Sequence, residues 1–267
     1  MSWKGVLGRV SFINCEPIFH SIGPNWNVLS APPSWLTGHL LRRDCLTAPI
    51  PTADYGKFQS ELRLIPNIGI VSKGQVGSVL LLGHRPIESM RDIAIPSDSS
   101  TSTALLRWLL ERKGNDPRLI EMGPDIDSML EKCDGALLIG DRALDVARDE
   151  PESIVMDLGY EWTRITGLPM VFGVFAARID SPIDHIREAH DLMVNQYEEF
   201  VNDPAVRNEV VSEVARRMQY DESRVERYFD EEVGNILDAD GIRGLEYFLV
   251  EVCKAPEPPK WFDFEAN

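Results

Sequence analysis

The chain has 267 residues, a net charge of −16 and an apolar share of 43%, enough for one large core or two modest ones. Such acidity argues against a nucleic-acid or anionic-membrane partner, since both are bound through basic patches, and no run approaches the roughly 20 apolar residues of a membrane helix. The stretch Met1-Ser2-Trp3-Lys4-Gly5-Val6-Leu7-Gly8-Arg9 has neither the apolar core nor the cleavage site of a secretory signal, so a cytoplasmic protein is expected.

In chain order, Gly8 to Ile13 reads as a first strand and Val28-Leu29 as a short second one. Ser34 is placed to cap a helix running through Trp35, Leu36, Leu40 and Leu41. Leu46 to Ile50 forms a third strand ending at Pro51-Thr52, followed by Leu62–Ile65, Gly69–Val71 and a longer apolar strand, Val76–Leu82. A second series then alternates strand and helix: Asp92–Ile95, Ser100–Arg112, Leu119–Glu121, Ile126–Lys132, Gly135–Ile139, Asp141–Arg148 and Ile154–Leu158. Alternation of this kind implies a parallel sheet covered by helices. Another apolar strand, Met170–Ala177, comes next, and from Ile183 to about Val252 the pattern is helical. Ala255-Pro256-Glu257-Pro258-Pro259 ends the fold, with a loose tail expected beyond it.

The pattern describes an α/β chain of two lobes. It leaves the first lobe through Val76–Leu82 and returns through Met170–Ala177, which divides it into residues 1–80 with 175–267, and residues 81–174. Ligands of open α/β sheets bind beyond the carboxyl ends of strands. Ser11 and Asn14, Thr52, the hydroxyl-rich run Ser97-Asp98-Ser99-Ser100-Thr101-Ser102-Thr103, and Gly140-Asp141 all fall at such ends. In the Ser97–Thr103 run, free N–H groups of a helix start combine with an excess of hydroxyls, as in an anion site. A plain N-cap is the other reading, since one hydroxyl suffices for that. Asn14 and Thr52 are likewise either caps or ligands, and Asp141 is either a cap or a cleft carboxylate able to act as a base.

The four cysteines, Cys15, Cys45, Cys133 and Cys253, are scattered and expected to be reduced and packed. The five histidines share no ligand spacing, and His185 and His190 are expected to be solvated. With no Ser–His–Asp set, P-loop or dinucleotide fingerprint, no metal and no cofactor are expected.

The ordered motifs resemble the chorismate dehydratase family of the futalosine route to menaquinone. They are Arg9-Val10-Ser11-Phe12-Ile13-Asn14, Ile50-Pro51-Thr52-Ala53-Asp54-Tyr55, Leu64-Ile65-Pro66 with Gly69-Ile70, Ser78-Val79-Leu80-Leu81, Ser99-Ser100-Thr101-Ser102 with Leu105-Leu106, Leu138-Ile139-Gly140-Asp141, and Asp157-Leu158-Gly159-Tyr160-Glu161-Trp162 with Thr166-Gly167-Leu168-Pro169-Met170-Val171-Phe172. The third-strand motif departs from the family at Leu46 or Thr47 and at Thr52, and the return strand carries Pro169-Met170 in place of Pro-Phe. The resemblance implies a periplasmic-binding-protein type II fold used as an enzyme. It implies loss of water from chorismate to give 3-[(1-carboxyvinyl)oxy]benzoate, by a monomer or homodimer. On this reading Asn14 and Asp141 are the catalytic candidates. Ser11, Thr52, Ser78, Ser99, Thr101, Ser102 and Gly140 bind substrate, with Ser99–Ser102 serving as both helix cap and carboxylate clamp. The sister 1,4-dihydroxy-6-naphthoate synthase and a non-catalytic solute-binding protein are the alternatives.

Overall fold

A computed structural model describes residues 2–264. Among the described residues eleven strands form two sheets. The first contains β1 (Val6–Val10), β2 (Asn27–Ala31), β3 (Thr47–Pro51), β4 (Leu62–Ser72), β10 (Met170–Arg178) and β11 (Gly234–Ile236), in the order β11-β4-β10-β3-β1-β2. The second contains β5 (Val79–Gly83), β6 (Asp92–Pro96), β7 (Arg118–Met122), β8 (Gly135–Ile139) and β9 (Ile154–Asp157), in the order β7-β6-β8-β5-β9. The helices are α1 (Glu16–Phe19), α2 (Pro33–Leu41), α3 (Thr52–Lys57), α4 (Ser100–Lys113), α5 (Ile126–Lys132), α6 (Asp141–Asp149), α7 (Leu158–Thr166), α8 (Ile183–Asn202), α9 (Pro204–Met218), α10 (Glu222–Arg227) and α11 (Ala239–Glu251).

The sheets are mixed rather than purely parallel. β1 runs parallel to β2 and β3, and β6 runs parallel to β7 and β8. β5 opposes β8 and β9, while β10 opposes β3 and β4. The reversal follows from the connections: β5 enters the second sheet directly from the first, and β10 makes the return trip. Both are buried along nearly their whole length, which is why they read as unbroken apolar runs. Neither strand itself spans the two sheets; the passages are the short segments 73–78 and 167–169.

Those passages are pinned from the side. The Asp157 carboxylate accepts the N–H groups of Val76, Gly77 (2.8 Å) and Tyr160 (2.9 Å). On the return, Trp162 donates its indole N–H to the Pro169 carbonyl at 3.0 Å. Its ring lies 5.3 Å from Trp108 and 5.7 Å from Phe248, which ties α7, α4 and α11 together behind the passages.

The C-terminal segment is helical apart from β11, whose three residues Gly234-Asn235-Ile236 carry no strand period to read. The tail expected after Pro259 is docked as far as the structure describes it. Leu64 donates to the Lys260 carbonyl and accepts from Phe262 N–H, both at 2.8 Å, while Lys260 N–H donates to the Tyr55 hydroxyl at 2.7 Å. Residues 265–267 lie outside the described residues. His190 is buried rather than solvated, with its ring 5.0 Å from Phe264. All four cysteines are free thiols, three of them buried.

Candidate active site

The segments that follow β1, β6 and β8 converge between the lobes and, with residues of β3, β4, β5 and β10, line a cavity of about 50 Å³. Four hydrogen bonds join the two lobes, which are shut on each other: Ser34 N–H to Asp98 O (3.3 Å), Ser100 N–H to Ser34 Oγ (3.4 Å), Ala53 N–H to Thr101 Oγ1 (3.1 Å) and Ile13 N–H to Asp141 Oδ1 (3.0 Å).

The walls are mostly apolar, with Phe12, Ile50, Ile70, Ile139 and Phe172 joined by Pro33, Pro49 and Pro51. The polar side chains are those of Asn14, Ser78, Ser99, Thr101 and Ser102. No charged side chain lines the cavity among the described residues. Nearby charges are paired: Glu16 with Arg9 and Arg217, and Asp98 with Arg142 at 2.6 Å. A bound anion therefore meets neutral hydroxyls and the N-terminal dipole of α4, whose first-turn N–H groups have no intrahelical acceptors.

Of the residues singled out from the sequence, Asn14, Ser78, Ser99, Thr101, Ser102 and Gly140 come together here. Asn14 is 9% exposed, and its Oδ1 is buried with no partner. Leaving such an oxygen unbonded costs about 1–3 kcal/mol, recoverable by a donor on a ligand. Ser99 occupies the N-cap position of α4, but its side chain makes no capping bond. The hydroxyl run is thus not spent on capping, and Ser99 and Ser102 are left facing the cavity. Thr101 Oγ1 accepts the Ala53 N–H at 3.1 Å. Ser78 Oγ lies 3.0 Å from the hydroxyl of fully buried Tyr228.

Three residues sit elsewhere. Ser11 is exposed just past β1, off the cavity wall. Thr52 is fully buried and neither caps α3 nor lines the cavity; its hydroxyl donates to the Val171 carbonyl of β10 at 2.7 Å. Asp141 also does not line the cavity, because its carboxylate is turned onto the Ile13 N–H. Burial pushes its pKa up to about 6, against the partial relief of that N–H and of Arg217.

The Asp141 shift has a stability consequence. The folded-state pKa lies above the unfolded value of 3.8, so the native state binds this proton more tightly. Stability is therefore lost as pH rises from about 4 through 6, by about 3 kcal/mol for two units. Asp141→Asn keeps an acceptor for Ile13 and removes the charge. Denaturant unfolding should find this variant more stable than the parent by up to about 3 kcal/mol at pH 8 and equal to it below about pH 4. A variant less stable at pH 8 would mean that the anion itself holds the lobes shut.

Sequence reasoning passed over Phe12, Phe172 and Asn235. Phe12 belongs to the β1 motif, and its partner is legible only as Gly140, which has φ +63° and ψ −145°. A Cβ at Gly140 would lie 2.5 Å from the Phe12 ring. The Arg142 guanidinium covers the same ring at 5.6 Å.

Comparison with known proteins decides the family. A family model described as "Menaquinone biosynthesis" matches residues 6–254. A chorismate dehydratase from Thermus thermophilus is 31% identical over 205 residues, covering 69% of this chain and 75% of that protein. The chain belongs to the chorismate dehydratase family. Its fold is that of the periplasmic binding proteins. A protein from Archaeoglobus fulgidus superposes with a TM-score of 0.69 at 17% identity, covering 92% of this chain and 96% of that one. The periplasmic aliphatic sulphonate binding protein SsuA from Escherichia coli gives 0.64 at 12% identity, covering 95% and 94%. Membership of the dehydratase family makes the interlobe cavity its candidate active site. No described helix is long and apolar enough to cross a membrane.

Proposed function

We propose that this chain is a cytoplasmic chorismate dehydratase that eliminates water from chorismate to give 3-[(1-carboxyvinyl)oxy]benzoate. The observation that carries the reading is the unpartnered Oδ1 of Asn14, buried at the cavity wall. Chorismate as a dianion has two carboxylates, an ether and one hydroxyl, and that hydroxyl is its only hydrogen-bond donor. It is therefore the group that answers Asn14, and it is also the group that leaves. A carboxylate then faces the start of α4, where Ser99, Thr101, Ser102 and the first-turn N–H groups supply neutral donors.

The elimination breaks the C–H bond beside the enolpyruvyl ether and the C–O bond of the hydroxyl, and the released electron pair completes the aromatic ring. Charge developing on the ring spreads into its carboxylate, where fixed donors stabilise it more than they stabilise the ground state. With Asp141 turned onto a backbone amide, the base in this scheme is the substrate's own enolpyruvyl carboxylate, held beside the proton and desolvated by closure. The proton and the hydroxyl leave together as water.

Incubation of the protein with chorismate, followed by liquid chromatography and mass spectrometry, tests the assignment. A product lighter by one water and absorbing as a substituted benzoate is expected. Calorimetric binding of chorismate without turnover would instead support a solute-binding role on the same fold. No binding and no turnover would move attention to the naphthoate synthase branch.

A further inference from the structure

We propose that Asn235 is a positioning residue for Asn14, an inference that rests on the assignment of Asn14 to the reaction. Asn14 sits in a single 3-10 turn, Ile13–Cys15, in which Cys15 N–H donates to Phe12 O and Glu16 N–H to Ile13 O. The next bond of that series would run from residue 17 to the Asn14 carbonyl, and residue 17 is proline, which has no N–H. The turn therefore leaves the carbonyl of its own functional residue open. Asn235 fills the gap: its Nδ2 donates to Asn14 O at 3.0 Å and to Gly69 O of β4 at 3.3 Å. One amide thus ties the Asn14 backbone to β4 of the first sheet. The register of β11 on β4 shifts between Gly234 and Ile236, so Asn235 lies within the irregularity. It is 1% exposed and does not line the cavity, so it acts on substrate only through Asn14.

The test uses Asn235→Ala and Asn235→Asp in the whole chain. The second variant keeps the side-chain volume and replaces the donor with an acceptor. Steady-state kinetics on chorismate, scaled to the folded fraction by circular dichroism, should show kcat lowered about 10²-fold with KM changed little, as for a sub-ångström to ångström misplacement of a reacting group. Asn14→Ala combined with Asn235→Ala should lose no more than Asn14→Ala alone. A crystal structure of Asn235→Ala should show the 13–15 turn and the Asn14 amide displaced. That readout needs no substrate, so it remains decisive even if the parent chain fails to turn over chorismate and the assigned reaction falls. Unchanged kcat per folded molecule, additive losses in the double variant, or an unmoved Asn14 would overturn the proposal. Failure of both variants to accumulate folded would assign Asn235 to folding and overturn it equally.

Discussion

Asn14→Ala is expected to lower kcat for chorismate dehydration by about 10²-fold, the loss that follows when the group orienting a reacting hydroxyl is removed. It should do so without harming the fold. The Asn14 side-chain oxygen has no protein partner, and the contact that anchors the residue uses its backbone carbonyl, which alanine retains. Deleting a buried, unbonded amide oxygen should leave stability unchanged or raise it by up to about 1 kcal/mol. The expected pairing is therefore a large fall in turnover with an equal or higher thermal midpoint. Such a pairing marks a group kept for chemistry rather than for folding. Near-normal turnover in this variant would remove Asn14 from the reaction.

Gly140→Ala should damage both stability and activity. The backbone there, φ +63° and ψ −145°, lies where side-chain-bearing residues are strained by about 1–3 kcal/mol. That penalty applies whether the lobes are open or shut, and for a chain of this size about 2 kcal/mol lowers the thermal midpoint by roughly 4–8 °C. Closure adds a second cost. Gly140 belongs to one lobe and Phe12 to the other, and the new Cβ would meet the Phe12 ring at 2.5 Å. The Gly140 N–H also donates to the Ser78 carbonyl at 2.7 Å, so the residue cannot simply back away. Since only the shut form excludes water from the substrate, turnover should fall about 10²-fold, more than the lost stability alone explains. Parent-like kinetics with a lowered midpoint would show that the lobes close less tightly during turnover than they do here.

The parts of this site that were legible in the sequence are those in which local chemistry and strand ends coincide. The Ser97–Thr103 run carries more hydroxyls than a helix start needs, and the surplus Ser99 and Ser102 line the cavity. Asn14 and Gly140 follow strands by one to four residues and point where strand ends point. Thr52 obeys the same rule and fails it, because its hydroxyl finds the Val171 carbonyl of a strand more than a hundred residues later. No local pattern carries that information. Asp141 is similar: a carboxylate at a helix start reads as a cap or a base, yet its partner is the Ile13 N–H of the other lobe. Asn235 was illegible because Gly-Asn-Ile is too short to show a period, and its value lies in what proline at position 17 withholds. The two-lobed architecture itself was readable from alternation and from two long apolar strands. The direction of those strands was not, since burial on both faces erases the signal that would distinguish parallel from antiparallel neighbours.

Under the proposed function the interlobe cavity closes over chorismate and, through Asn14, aromatises it. The most direct measurement is a proton NMR time course of chorismate with the parent chain and, side by side, with Asn14→Ala at equal folded concentration. The ring-hydroxyl methine signal should disappear in the parent sample as a single set of aromatic resonances grows in its place with the enolpyruvyl vinyl protons retained, while the variant sample stays essentially unchanged over the same interval. Chorismate left intact by the parent chain, or converted at the same rate by the variant, would contradict the proposed function.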